Sequence, residues 1–216
     1  MAAPHSLLAV AAVAAVAAVT LGACATAGEP GNAATPDAAR VQEATPDAAH
    51  AGSCAQAFTG TLATWDFTAD TGTEIMSAAS ATAPGVTASP VTRSADVSAA
   101  SGASSMNATN WALAAHLDAT KYYTLTLTPP GGCTLAITGL AVDAKASASG
   151  PSAASIATSA DMFAAVASLS TTAPSTPAIA ATATTALELR VYGFSATSAA
   201  GTFRVQNQLT VTGSLR

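Results

Sequence analysis

The sequence predicts an all-β fold, an antiparallel β-sandwich of jelly-roll-like type over residues 54–216, preceded by an apolar leader and a linker. Three observations predict it. Apolar side chains recur at every second position in several separate segments, the period of a strand with one buried face. Gly, Pro and Ser punctuate those segments and turn the chain. Charged residues are only 9% of the chain, with Ser, Thr and Ala in their place, against roughly a quarter in an ordinary soluble domain. Half of the chain is nominally hydrophobic, but much of that is Ala and aromatics are 5%, so the predicted core is lean.

In chain order, Ala63, Trp65 and Phe67 share one face of a first strand. Trp111, Leu113, Ala115 and Leu117 form another apolar face, with Ala112, Ala114 and His116 opposite. Tyr123, Leu125 and Leu127 alternate with Tyr122, Thr124, Thr126 and Thr128 until Pro129-Pro130-Gly131-Gly132, after which Cys133, Leu135 and Ile137 resume the alternation. That pattern predicts a hairpin. A short helix is the one helical expectation, at Asp161 to Leu169. Near the C-terminus Leu187, Leu189 and Val191 oppose Glu188, Arg190 and Tyr192. After a turn around Ala200-Gly201, Phe203, Val205, Leu209 and Val211 oppose Arg204, Gln206, Gln208 and Thr210. Trp65 and Trp111 fall on apolar faces and are predicted core.

Residues 1–23 read as an export signal. Leu7 to Leu21 is an uninterrupted apolar run, shorter than the roughly 20 residues of a membrane-spanning helix. The segment before it contains no Lys or Arg, although such regions usually carry positive charge. Leu21-Gly22-Ala23-Cys24 follows directly and resembles the lipobox of bacterial lipoproteins, which implies acylation of Cys24 and attachment to a membrane. A cut at Ala25-Thr26-Ala27 would instead discard Cys24 and release the protein.

Residues 24–53 read as a tether. Ala34-Thr-Pro-Asp-Ala-Ala39 returns as Ala44-Thr-Pro-Asp-Ala-Ala49, and a stretch with so few large side chains lacks the apolar area to repay its ordering. Such a linker reaches on the order of 30 Å on average. Cys54 and Cys133 remain once Cys24 is set aside, and in an exported chain such a pair forms a disulfide more often than two free thiols.

Trp65-Asp66-Phe67, Gly150-Pro151, Ser159-Ala160-Asp161-Met162-Phe163, Leu189-Arg190-Val191-Tyr192-Gly193-Phe194 and Ala200-Gly201-Thr202-Phe203-Arg204-Val205-Gln206-Asn207 together resemble β-sandwich modules of secreted bacterial proteins. Several of those proteins carry PEP-CTERM-type sorting tags. The resemblance spans roughly residues 60 to 213 and implies a jelly-roll, carbohydrate-binding-like domain, a class in which most members have no assigned activity. This sequence closes on Gly213-Ser-Leu-Arg216 with no such tag, a role the lipid anchor would take over. Gln206 stands where those modules often have Asp before Asn207, which weakens a carried-over calcium site.

The chemistry is sparse. A net charge of −5 with scattered basic residues argues against nucleic acid as a partner, because phosphate neutralisation needs a clustered basic surface. His116 with Asp118 two residues on could serve a hydrolase, but no Gly-x-Ser-x-Gly elbow presents a serine. A glycosidase needs two carboxylates held across a cleft, and from residue 54 onward only Glu74 and Glu188 are glutamates. Asp66, Asp70 and Asn207 are calcium candidates, although lone Asp residues commonly cap turns; no cofactor is expected. The primary expectation is therefore a non-catalytic, structural or adhesive lipoprotein, and the alternative is a module that binds extracellular polysaccharide. For the alternative, Tyr122, Arg190, Tyr192, Arg204, Gln206, Asn207 and Gln208 supply stacking and hydrogen bonds from one sheet and its margin; the plainer reading of the same residues is a solvated polar face.

Overall fold

The structure, a computed structural model, describes residues 54–216. The leader, Cys24 and the tether with its repeats lie outside the described residues. Fifteen strands follow from Cys54 onward: β1 (Phe58–Asp66), β2 (Met76–Ser77), β3 (Ala79–Thr82), β4 (Thr87–Ala88), β5 (Val91–Arg93), β6 (Ser98–Ala99), β7 (Ser105–Thr109) and β8 (Tyr122–Thr128). Beyond these come β9 (Leu135–Ala146), β10 (Pro151–Thr158), β11 (Val166–Leu169), β12 (Pro174–Ser175), β13 (Ala181–Ala183), β14 (Leu187–Ala196) and β15 (Phe203–Leu215).

They form two antiparallel sheets packed face to face, the sandwich that the alternation predicts. The eight-stranded sheet runs β12-β9-β15-β1-β3, with β13 on β9 and with β7 on β15 carrying β6. The seven-stranded sheet runs β11-β10-β14-β8-β5-β2, with β4 also on β8. The chain changes sheet from β7 to β8, from β8 to β9, from β9 to β10 and from β14 to β15, so β7, β9 and β15 belong to one sheet, and β8, β10 and β14 to the other.

The period-two faces sit where the sequence puts them. Tyr123, Leu125 and Leu127, then Leu187, Leu189 and Val191, then Phe203, Val205, Leu209 and Val211, all point inward and are buried. A bulge between Thr61 and Ala63 shifts the β1 register, so that neighbouring Leu62 and Ala63 are both buried, with Trp65 and Phe67. A second irregularity inserts Asn207 and Gln208 between Gln206 and Leu209 opposite β9. Two extra residues preserve parity, so the inward face continues unbroken beyond them.

Three side chains stitch the sheets together by donating to backbone carbonyls of the facing layer. The Tyr123 hydroxyl on β8 donates to Phe203 on β15 at 2.6 Å, within a cluster in which Trp111 packs 5.2 Å from Tyr123 and 5.3 Å from Phe203. Gly193 borders this cluster, and a Cβ there would meet Phe203 Cδ1 at 3.1 Å and Trp111 Cε3 at 3.2 Å. The Trp65 indole donates to Ser89 at 3.0 Å. Arg93 reaches from β5 to Asn107 of β7 through Nε at 2.9 Å, and its Nη atoms donate to the carbonyls of Glu74 and Gly72. Burial raises the Tyr123 phenol well above its ordinary range, with Arg93 opposing that shift.

Three sequence expectations are corrected. The Pro129–Gly132 turn does not close a hairpin: β8 pairs with β14, β5 and β4, whereas β9 pairs with β15, β12 and β13. The turn carries the chain from one sheet to the other, a step that leaves period two intact on both sides. The segment after Trp111 is not a strand. Asn110 turns to φ 66° before it, Leu113 is 58% exposed, and the run of Ala that follows offers too little area to hold a buried face. The short helix at Asp161 to Leu169 is instead a one-turn 3-10 helix, Ser159–Asp161, followed by strand β11.

Cys54 and Cys133 form a disulfide across 79 residues of sequence. Replacing Cys54 by Ala releases that closed loop and is expected to cost about 2–4 kcal/mol. Thermal unfolding should then shift down by roughly 10 °C; an unchanged midpoint would mean the bond does no stabilising work. Partial burial pushes the Glu74 carboxyl up, but donors from Thr71 and Gly72 outweigh it and hold the group at about 2, below its ordinary 4.5. Because the folded value is the lower, Glu74 contributes stability above about pH 4.5 that is lost as pH falls towards 2. In Glu74→Gln the acid side of a stability–pH curve should be shallower, and a superimposable curve refutes this.

Candidate functional site

The seven candidate ligand residues do not share a surface. Tyr122, Arg190 and Tyr192 lie on β8 and β14, on the outer face of the seven-stranded sheet. Arg204, Gln206, Asn207 and Gln208 lie on β15, in the eight-stranded sheet, on the opposite side of the sandwich. Alternation says which side chains share a face of one strand; it does not say which strands share a sheet.

On the seven-stranded sheet the outward residues of β14 and β8 meet in register, Tyr192 opposite Tyr122 and Arg190 opposite Thr124. The two tyrosine rings lie 5.7 Å apart, edge to face. Arg190 is held between two aromatic rings, its guanidinium carbon 4.2 Å from the centre of Tyr122 and 4.0 Å from that of Phe163. Its Nε donates to Glu188 Oε1 at 2.7 Å, and the same oxygen accepts from the Thr124 hydroxyl at 2.9 Å. Tyr192 is only 2% exposed; burial raises its phenol above the ordinary range, against the influence of Arg190. It is therefore a support of the cluster and not an open platform. Glu188 thus pairs with Arg190 on its own strand, whereas Arg204 lies on the other sheet.

Phe163 is the member that sequence reasoning missed. It follows the 3-10 turn, and both Met162 (φ 60°) and Phe163 (φ 63°) adopt left-handed backbone, which costs a non-glycine residue about 1–2 kcal/mol each. No periodicity marks such a residue, because it reaches the sheet from a loop.

On the eight-stranded sheet the β15 bulge builds a polar ledge. Asn207, at φ 55°, accepts from the backbone N–H of Phe67 and donates its own N–H to Ser104. Its side-chain amide and that of Gln206 both donate to Asp143 Oδ2, at 2.6 and 3.0 Å. Asp143, Asn207 and Gln208 border a groove of about 240 Å³ closed on its far side by Pro174, Ser175 and Thr176. Asp143 carried no signal in the sequence beyond its type.

The remaining candidates part company. His116 and Asp118 line one cleft of about 420 Å³ with Trp111, Leu113 and Lys121, and no Ser, Thr or Cys lines it. Asp118 Oδ1 accepts from the N–H and hydroxyl of Thr120, donors that hold its carboxyl below the ordinary range. Asp66 accepts from Thr68 N–H, the turn-capping role of a lone Asp. Asp70 Oδ2 is buried with no partner. Among the described residues no group of three or more His, Cys, Asp or Glu is arranged to hold a metal ion.

No family model, no curated protein and no solved structure matches this chain.

The strained loop is testable. Met162 is 88% exposed, so Met162→Gly removes left-handed strain with little loss of packing and is expected to stabilise by about 0.5–1 kcal/mol. Phe163→Ala keeps the strain, loses the ring over Arg190 and should destabilise by about 0.5–1 kcal/mol. Denaturant midpoints of the two variants should move in opposite directions; movement in the same direction overturns this account of the loop.

Proposed function

We propose that the chain is a non-catalytic surface lipoprotein, exported and acylated at Cys24, whose β-sandwich does structural or adhesive work at the membrane surface. The observation that carries the adhesive part is the Arg190 cluster. Tyr122, Phe163 and Arg190 are partly exposed and held in fixed positions by the strand ladder, the Glu188 ion pair and ring packing. Tyr and Arg are residue types that dominate binding energy at protein contacts, and a cluster already ordered costs little more to bind. Export is supported by the Cys54–Cys133 bond, a crosslink that persists in oxidising compartments. The cleft shared by His116 and Asp118 offers no Ser, Thr or Cys as a nucleophile, which supports a non-catalytic reading.

A second reading, a carbohydrate-binding accessory module, is favoured by the ledge of Asp143, Gln206 and Asn207. Amides aligned by a carboxylate beside a groove suit the hydroxyls of a sugar, which need fixed donors and acceptors at close range.

Metabolic labelling with a lipid precursor tests the anchor. The wild-type protein is expected to take up label and fractionate with membranes, and Cys24→Ala to do neither. An unlabelled wild-type protein would overturn the anchor and leave a released sandwich, cut beyond Cys24.

A further inference from the structure

We infer that the outer face of the eight-stranded sheet around Arg204 and Lys145 binds an anionic polysaccharide, a sugar chain bearing carboxylate or sulfate groups. This rests on the carbohydrate-binding reading and gives it a ligand class and a location.

The register places Arg204 of β15 directly opposite Lys145 of β9. Phe203, Val205 and Ala144 beside them are fully buried, so both cations project from the outer face. Like charges directly opposite one another on a sheet destabilise it. The chain has only seven Lys and Arg residues, and two stand side by side here. Among the described residues neither side chain makes an ion pair or a hydrogen bond, and the ion pair of Arg190 lies on the other sheet.

The neighbouring polar groups are not in direct contact with either cation. Asp143 is the next outward residue on β9, opposite Gln206, and its Oδ2 is occupied by the amides of Gln206 and Asn207. Asn107 lies opposite Arg204 on the β7 side; its amide donates to Ser101 and its buried Oδ1 accepts from nothing, the Arg204 guanidinium included. An anion seated between Arg204 and Lys145 supplies a direct partner to both, with the guanidinium offering a planar fork and the ammonium a point charge.

One strand step of roughly 7 Å beyond the cations lies the amide ledge. With their NH2 groups on Asp143, Gln206 and Asn207 retain carbonyl oxygens as acceptors for hydroxyls. The groove bounded by Gln208, Ser175 and Thr176 continues in the same direction. Cations followed by hydroxyl-reading amides along an exposed face match a polymer that carries both acid and hydroxyl groups.

The test uses the full-length protein in detergent micelles, with polygalacturonate, dextran sulfate and neutral dextran as probes, at low and at physiological salt. Polyanion binding that weakens with salt, with dextran unbound, is expected. Arg204→Gln and Lys145→Gln should each lower affinity about tenfold or more, while Arg216→Gln, which removes an exposed cation past the far end of β15, leaves it unchanged. Preference for polygalacturonate assigns carboxylate as the anion, and preference for dextran sulfate assigns sulfate; either supports the site. Dextran binding as tight as the polyanions overturns the anionic inference and leaves the carbohydrate reading standing. Absence of binding to all three overturns both. Polyanion binding insensitive to the Arg204 and Lys145 variants, or lost in Arg216→Gln, overturns the location.

Discussion

The hydrogen bond from Tyr123 to the Phe203 carbonyl is the contact on which the rest of the architecture depends. A buried hydroxyl left without a partner costs about 1–3 kcal/mol, so the phenol must meet an acceptor, and the acceptor lies in the facing sheet. That requirement fixes the spacing and relative position of β8 and β15, the strands that carry the outward-facing candidates. Trp111 and Phe203 fill the space beside the phenol, and Gly193 leaves room for them. With so few large side chains, this core gains specificity from directional bonds, those of Trp65 and Arg93 included, as much as from buried area.

Fixing β8 and β15 in opposite layers separates the two chemistries of the surface. One face displays an arginine whose charge is met by Glu188 and whose flat sides are covered by rings. The other displays two cations that oppose each other and a carboxylate already occupied by amides. The first is complete in itself and resembles a contact surface for a solid partner. The second leaves both cations without a direct partner, which is what an anion seated there would supply.

Much of the sandwich was legible because burial on one face of a strand imposes period two directly on the sequence. Tyr123, Leu189 and Phe203 were assigned inward on that ground alone, as were both tryptophans. The cystine was legible for a different reason, the oxidising compartment implied by the leader. The failures share a cause. The Pro-Pro-Gly-Gly turn joins strands of different sheets, the Ala-rich run after Trp111 has alternation without enough area to bury, and Phe163 reaches its partner from a loop. In each case long-range pairing decides the outcome, and local spacing contains no record of it. The candidate ligand residues show the same limit, since alternation sorts the faces of one strand and the set is divided between opposite sheets.

The covalent staple at the start of the domain has a mechanical meaning. Cys54 is bonded to Cys133, Cys133 lies one residue short of the start of β9 at Leu135, and β9 is paired along most of its length with β15, which also carries β1. A pull arriving from the N-terminal side at Cys54 therefore divides between two routes, one along the backbone into β1 and one through the sulfurs into β9. Both routes end on β15, so β1 cannot be peeled away as a lone edge strand before the load reaches the central strand of the sheet. The bond thus sets where force enters the fold, and the sheet is loaded as a unit.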